Sequence, residues 1–261
     1  MPNDVLAKTS RVLRMRDITA KELVVMQVEI GRSTTDWDFG KQLLELFANH
    51  DKRLVPQSLS IWGDKIADFS AVDDARPHWA GIGQIRGNGS LSEFHVGIGW
   101  HRKLTTRYQA EIQHERRDNR GRLIPANLSV YAKPHKAIDW GTFANKIYAL
   151  TEAQYGFVHM YRDANLRADR SEAREATWIT SQRTSTGVPQ LGWSTFLGAS
   201  YAEFIPNSLR NCDHAGIKEI GSGTAITLTK SIMDISEKYE DFDTKRSQMK
   251  ALFSENFFEI P

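Results

Sequence analysis

Apolar and polar side chains alternate along three stretches in the middle of the chain, and a period of two residues is typical of a strand with one buried face. Residues 93–101 and 105–116 each carry this alternation, and residues 127–133 repeat it after a polar segment. That segment, RRDNRGR at 116–122, contains the Asp, Asn and Gly residues that favour a turn. The middle of the chain is therefore predicted to form an antiparallel meander with one solvated face.

Strand and helix patterns follow each other on both sides of this meander. Residues 23–30 form a β-branched, apolar run that predicts a buried strand, and Asp36 or a preceding Ser or Thr is a candidate cap for the helix after it. A second Asp-Trp pair at Asp139 opens another amphipathic pattern, which leads to a predicted strand over 156–162. A final helix is predicted over 236–253. These patterns indicate an α+β fold with a mostly antiparallel twisted sheet and helices packed on one face.

The length of the chain is compatible with one domain, because 261 residues can bury a full core. We interpret residues 1–261 as a single α+β domain. The two similar helix openings keep an alternative open, in which two related strand–helix–strand halves cover about residues 20–135 and 136–261. The polar segment 163–190 predicts a long loop.

Composition narrows the class of protein. The net charge of +2 arises from 34 basic and 32 acidic residues, so nothing marks the whole molecule as a nucleic-acid binder. A single cysteine excludes a disulfide framework within the chain and fits a reducing compartment. The N-terminus lacks the apolar segment of a signal peptide, and its longest apolar run is far below the roughly 20 residues of a membrane helix. We therefore expect a cytoplasmic protein with no membrane partner.

Motifs for catalysis or cofactor binding are missing from the sequence. Two glycine-rich segments, 81–87 and 221–231, lack the spacing of phosphate loops and are interpreted as turns. Cys212 lies two residues before His214, and we interpret it as an ordinary loop cysteine. No H-x-x-x-H spacing occurs among the eight histidines, which are His50, His78, His95, His101, His114, His135, His159 and His214. We therefore assign no catalytic, cofactor-binding or metal-binding residues, expect no cofactor, and predict that the protein is not an enzyme.

Two other functions stay open at this stage. An enzyme could use histidine and carboxylate side chains that only folding brings together. A nucleic-acid-associated protein could use the basic residues around the turn at 116–122, although Glu111, Glu115 and Asp118 interrupt that cluster. The basic residues are Arg102, Lys103, Arg107, Arg116, Arg117, Arg120 and Arg122.

Three stretches carry a resemblance to a known family: FGKQLLELFANHDKRLVP at 39–56, ALTEAQYGFVHMYRD at 149–163 and GWSTFLGASYAEFI at 192–205. In these stretches the chain resembles bacterial immunity proteins of contact-dependent and type VI secretion toxin systems, and it is most similar to the immunity protein 52 family. The resemblance implies a stoichiometric antidote without an active site, which binds a cognate toxin, often a nuclease, and blocks it. In the third stretch we expect a structural core of Gly192, Trp193, Phe196, Tyr201 and Phe204.

Charge suggests where a nuclease toxin would bind. The substrate groove of a nuclease is basic, so an antidote should present local negative charge to it. We predict a partner-binding cluster at the start of the final helix, with residues 64–74 as a second candidate. The alternative is a solvated helix face stabilised by the helix dipole. The predicted cluster is Asp234, Glu237, Glu240, Asp241 and Asp243.

Overall fold

The computed structural model describes residues 22–87, 90–104, 106–118, 120–162, 187–211 and 215–258. Ten strands form one sheet, and two further pairs of strands form separate ribbons. The strands are β1 (Glu22–Glu29), β2 (Ser58–Ile61), β3 (Asp64–Asp68), β4 (Ile82–Gly87), β5 (Ser90–His95), β6 (Ile98–Arg102), β7 (Tyr108–Gln113), β8 (Arg116–Arg117), β9 (Leu123–Ile124), β10 (Asn127–Ala132), β11 (Tyr155–Arg162), β12 (Ser194–Leu197), β13 (Gly216–Ile220) and β14 (Gly223–Thr227). The helices are α1 (Trp37–His50), α2 (Trp140–Thr151), α3 (Asp234–Glu237) and α4 (Tyr239–Lys250), with 3₁₀ helices at Val72–His78, Ala199–Phe204 and Asn207–Asn211.

The large sheet has the strand order β13-β14-β12-β11-β1-β10-β7-β6-β2-β3, and all neighbouring strands are antiparallel. β1 lies inside the sheet, where Val25 pairs with Tyr131 of β10 on one side and with His159 of β11 on the other. The predicted α+β class with a mostly antiparallel sheet is confirmed. β1 of the first suggested half pairs directly with β11 of the second, so one sheet contains strands of both halves.

Helices α1 and α2 cover one face of the sheet. The ring of Phe47 in α1 lies 5.0 Å from that of Trp100, and Tyr148 in α2 stacks at 4.9 Å on Phe196. Each helix begins with an aspartate whose side chain accepts a backbone N–H of the first turn. Asp36, a candidate cap in the sequence, accepts from residue 38 at 2.8 Å, and Asp139 accepts from residue 142 at 2.9 Å. These bonds satisfy N–H groups that a helix start leaves without partners.

The opposite face of the sheet is covered at one end and polar at the other. Phe242 of α4 lies 5.8 Å from His159 of β11, and Tyr201 lies 6.3 Å from Tyr155. On β7 the residues of this face are the polar Gln109, Glu111 and Gln113, which are half-buried or exposed. Only one side of β7 is apolar, which explains the alternating pattern of its sequence.

The structure differs from the sequence prediction in three elements. Residues 93–101 form two strands, β5 and β6, instead of one, and β5 pairs with β4 in a ribbon outside the large sheet. The break falls at Gly97, where a Cβ atom would lie 2.5 Å from the carbonyl oxygen of Ile112. The segment 81–87, predicted to be a turn, therefore contains β4. The final helix is interrupted at Lys238, whose φ of −144° and ψ of 51° are not helical.

Two other predictions fall partly or wholly outside the described residues. Of the loop predicted over 163–190, only residues 187–190 are described, and Val188 forms a bridge to Phe258 near the C-terminal end. Cys212 and His214 are also outside them. Among the helices that the structure describes, none combines the length and apolarity needed to cross a membrane.

Candidate functional site

The expected core of the third resemblance stretch joins β12 to its neighbours. Trp193 is 2% exposed, and its indole Nε1 donates to Thr229 Oγ1 at 3.0 Å. Its backbone N–H donates to His159 Nδ1 at 3.2 Å. Phe196 and Tyr201 are buried and Phe204 is half-buried. These aromatic side chains are therefore placed to stabilise the sheet and its covering elements.

Gly192 allows the chain to approach β11 closely at this point. A Cβ atom there would lie 3.0 Å from the carbonyl oxygen of Val158 and 3.3 Å from Cβ of Phe157. A larger residue would press the segment before β12 away from the sheet. The glycine thus belongs to the packing of this stretch.

The predicted acidic cluster lies on α3 and α4, where basic residues of the same segment neutralise most of it. Lys238 lies 3.7 Å from Asp234, Lys245 lies 3.3 Å from Asp241, and Arg246 lies 2.6 Å from Asp243. Glu237 and Glu240 are exposed and form no ion pair among the described residues. The negative field of this surface is therefore weaker than its five carboxylates suggest.

The second acidic segment, 64–74, begins at the edge strand β3. Lys65 and Asp68 form an ion pair with 2.6 Å between Nζ and Oδ1. Asp74 accepts the backbone N–H groups of Ala71 and Ser70 at 2.8 and 2.7 Å, and these two hydrogen bonds lower the pKa of its carboxyl group. Asp74 is thereby held in its charged form, and this segment has fewer basic residues than α3 and α4.

The basic turn at 116–122 is a short ribbon in which β8 pairs with β9, so the predicted turn is confirmed. Arg122 forms an ion pair of 2.7 Å with Asp118, and Arg117 donates to the carbonyl oxygen of Gly121 at 2.7 Å. Arg116 and Arg120 are exposed. Internal contacts thus engage part of the basic cluster that the sequence offers for nucleic acid.

A buried polar cluster fixes the loop after β1 to the end of β7. Thr34 Oγ1 donates to Glu115 Oε2 at 2.7 Å and lies 2.8 Å from His114 Nδ1. Because the threonine hydroxyl proton points to the carboxylate, we assign the proton of the His114 ring to Nδ1. Ser33 adds a hydrogen bond of 2.5 Å from Oγ to Glu115 Oε1.

Burial sets the charge state of His114, and hydrogen bonds set that of Glu115. Burial lowers the pKa of His114 to about 4, despite the opposing effect of the Glu115 carboxylate. Burial also acts to raise the pKa of Glu115, but the hydrogen bonds from Ser33 and Thr34 outweigh it and keep that pKa below its ordinary value. Thr34 is fully buried and His114 is 4% exposed, so a substrate has no access to this hydroxyl and imidazole in the folded state. The cluster is suited to holding a loop in place.

A shallow groove lies between α1 and α2 on the outer surface. Its volume is about 320 Å³, and Leu46, His50, Lys146 and Leu150 contribute to its walls. His50 Nε2 lies 3.0 Å from the carbonyl oxygen of Asp139, and burial lowers the pKa of the His50 ring. Across the part of the chain that the structure describes, no three His, Cys, Asp or Glu side chains are grouped as metal ligands.

No family model and no curated protein matches the chain. Among solved structures it is similar to the T6SS protein PA0821 of Pseudomonas aeruginosa, with 10% sequence identity and a TM-score of 0.48 over 79% of this chain and 67% of that one. A similarity of this size carries no argument about function, so the resemblance to the immunity protein 52 family rests on the three sequence stretches.

Proposed function

We propose that this chain is a bacterial immunity protein that binds a cognate secreted toxin of a type VI system and neutralises it in the cytoplasm. The supporting observation is the position of the three resemblance stretches. The first forms α1, the second forms the end of α2 and β11, and the third forms β12 and the following 3₁₀ helix. α1 packs beside α2, and Tyr148 of α2 stacks on Phe196 of β12. The similar stretches thus form one connected part of the core.

The proposed mode of action is stoichiometric blocking by protein–protein contact. A nuclease toxin would present a basic groove, and the carboxylates that could meet it are concentrated in two surface segments of a chain whose net charge is +2. This mechanism requires no cofactor. It makes the chain a binding protein whose own turnover on nucleic acids, esters, peptides or nucleotides should be zero.

The test is co-expression with the toxin encoded beside the gene for this chain, with the toxin inactivated at its catalytic residue for purification. We expect a 1:1 complex on size-exclusion chromatography and survival of cells that express the active toxin together with this chain. A chain that neither co-purifies with the toxin nor protects cells would refute the proposal. Hydrolysis by the purified chain that disappears on mutation of one histidine or carboxylate would favour an enzyme instead.

A further inference from the structure

The turn between β2 and β3 exposes a tryptophan in an unfavourable backbone conformation. Trp62 and Gly63 form the two-residue loop of this hairpin, since Ile61 pairs with Asp64. Both residues have positive φ, 53° for Trp62 and 88° for Gly63. Glycine adopts this region freely and Asn or Asp tolerates it, whereas a bulky residue is strained there. Trp62 is nevertheless 67% exposed, so packing within the chain contributes little to offset that strain.

A second apolar side chain stands beside this turn on the edge of the sheet. Leu59 pairs with Ala67 and Ser60 with Lys65, so Ile66 is the extra residue of a β-bulge. Bulges on edge strands redirect side chains, and Ile66 is 37% exposed. β3 is the last strand of the sheet, and its outer edge has no neighbouring strand among the described residues. We call residues 58–68 the Trp62 hairpin.

The segment that begins at this turn and continues to residue 74 is acidic, and Asp64 directly follows Gly63. Between residues 64 and 74 the only basic residue is Lys65, and it is paired with Asp68. Asp64 and Asp73 are exposed and have no ion-pair partner among the described residues. The segment is thus more acidic in effect than α3 and α4, where three of the five carboxylates are neutralised by Lys238, Lys245 and Arg246. A basic surface would complement this charge.

We propose that the Trp62 hairpin is the anchor of this chain on the toxin, with Trp62 and Ile66 entering an apolar cleft that Lys and Arg side chains of the toxin border. The inference rests on the proposed immunity function and names the surface that carries it. Tryptophan is among the residues that most often dominate the energy of an interface, and a strained, exposed position is explained when binding, instead of folding, depends on it. Asp64 and the other carboxylates of the segment 64–74 would pair with the basic border.

The test measures the affinity of variants for the catalytically inactivated toxin encoded beside this chain's gene, by calorimetry or biolayer interferometry. Trp62→Ala should weaken the complex by about 30-fold or more, the size expected for a hot-spot side chain. Leu123→Ala is the matched control, because Leu123 is 62% exposed on the β8–β9 ribbon, and it should bind within about twofold of the wild type.

A second variant separates binding from folding. Trp62→Asn should unfold at a higher temperature than the wild type, because Asn tolerates positive φ, and should still bind poorly. Asp64→Lys combined with Asp73→Lys should slow association, most strongly at low salt.

The outcomes distinguish the two proposals. If the wild-type chain does not bind the toxin, the immunity function fails and the anchor fails with it. If the wild type binds and Trp62→Ala binds equally well, the anchor is wrong and the immunity function stands. A loss of affinity in Leu123→Ala as large as that in Trp62→Ala would also overturn the anchor.

Discussion

Two buried histidines stay neutral in the folded protein. Burial lowers the pKa of His114 to about 4 and that of His159 to about 3, and for His159 the nearby Arg246 and Arg162 add to this effect. In the unfolded chain both rings would have a pKa of about 6.5. As the pH falls below that value, the unfolded state takes up protons that the folded state does not bind. The stability linked to these rings is therefore complete above pH 6.5 and declines as the pH falls towards their folded pKa values.

His114→Asn should reduce this sensitivity to acid. The asparagine amide can donate to Thr34 Oγ1 in place of Nδ1, but it does not titrate. Between about pH 6.5 and 4, the free energy of unfolding should fall less steeply, by up to about 1.4 kcal/mol per pH unit, which corresponds to one proton. Urea denaturation at pH 7.5, 6 and 5 measures the slopes. Parallel slopes for the variant and the wild type would contradict the burial argument.

Trp193 is buried and Trp62 is exposed, so replacing each by alanine should affect the stability of the protein differently. Trp193→Ala should destabilise the protein by about 3–5 kcal/mol, because the ring is buried and its indole N–H is hydrogen-bonded. Trp62→Ala should not lower the melting temperature. Thermal unfolding followed by circular dichroism measures both. A stable Trp193→Ala variant that loses toxin binding would place Trp193 in the interface.

At the scale of elements, the contact between α1 and the 3₁₀ helix Val72–His78 depends on a glycine. The indole of Trp79, which follows the 3₁₀ helix, lies so close to Gly40 that a Cβ atom there would be 2.5 Å from Cε2. The indole is held in place, since its Nε1 donates to the carbonyl oxygen of Thr34 at 3.0 Å. The same Trp79 ring packs at 5.3 Å against His114, so this contact links α1 to the buried polar cluster.

Gly40→Ala should destabilise the protein although alanine is the better helix former. The gain in helix propensity is about 1 kcal/mol, and the displacement of Trp79 should exceed it, since overpacking typically costs about 1–3 kcal/mol. Gly141→Ala in α2 is the control, because its nearest contact with a new Cβ is 3.5 Å, an ordinary distance. Chemical denaturation should show a loss for the first variant and none for the second. An equal or higher stability of Gly40→Ala would show that Trp79 moves without cost.

Elements determined by local signals could be predicted from the sequence, and those determined by distant contacts could not. The cap Asp36, the helix after Asp139 and the turn at 116–122 follow from nearby residues. The separation of β5 from β6 depends on the approach of Gly97 to β7, and the pairing of β4 with β5 has no strong local pattern. Likewise, the hydrogen bonds of Thr34 with residues 114 and 115 join segments far apart in sequence.

At the scale of the whole molecule, the effective charge of the two acidic surfaces depends on their ion pairs as well as on the number of their carboxylates. The number of carboxylates favours α3 and α4, although the spacing of four residues between Asp234 and Lys238, and between Asp241 and Lys245, permits ion pairs along a helix. The exposure and the positive φ of Trp62 appear only once β2 and β3 pair.

Replacing Glu237, Glu240 and Asp241 by Lys should change the association rate of a basic toxin more than its dissociation rate. These side chains lie on the surface of α3 and α4, so the fold should persist. We expect slower association at 20 mM salt, with a difference that shrinks at about 150 mM, where the screening length is about 8 Å. Stopped-flow binding measures the rates. A large increase in the dissociation rate would instead place the toxin directly on these helices.

The interior position of β1 has a consequence for biosynthesis. This strand leaves the ribosome before its partners, but its two neighbours, β10 and β11, are translated much later. A nascent chain that ends after β10 can pair one side of β1 and still presents the other side, with the apolar run LVVM, to any neighbouring polypeptide. The order of translation thus opposes the order of the sheet, and this side of β1 stays open until β11 has been made.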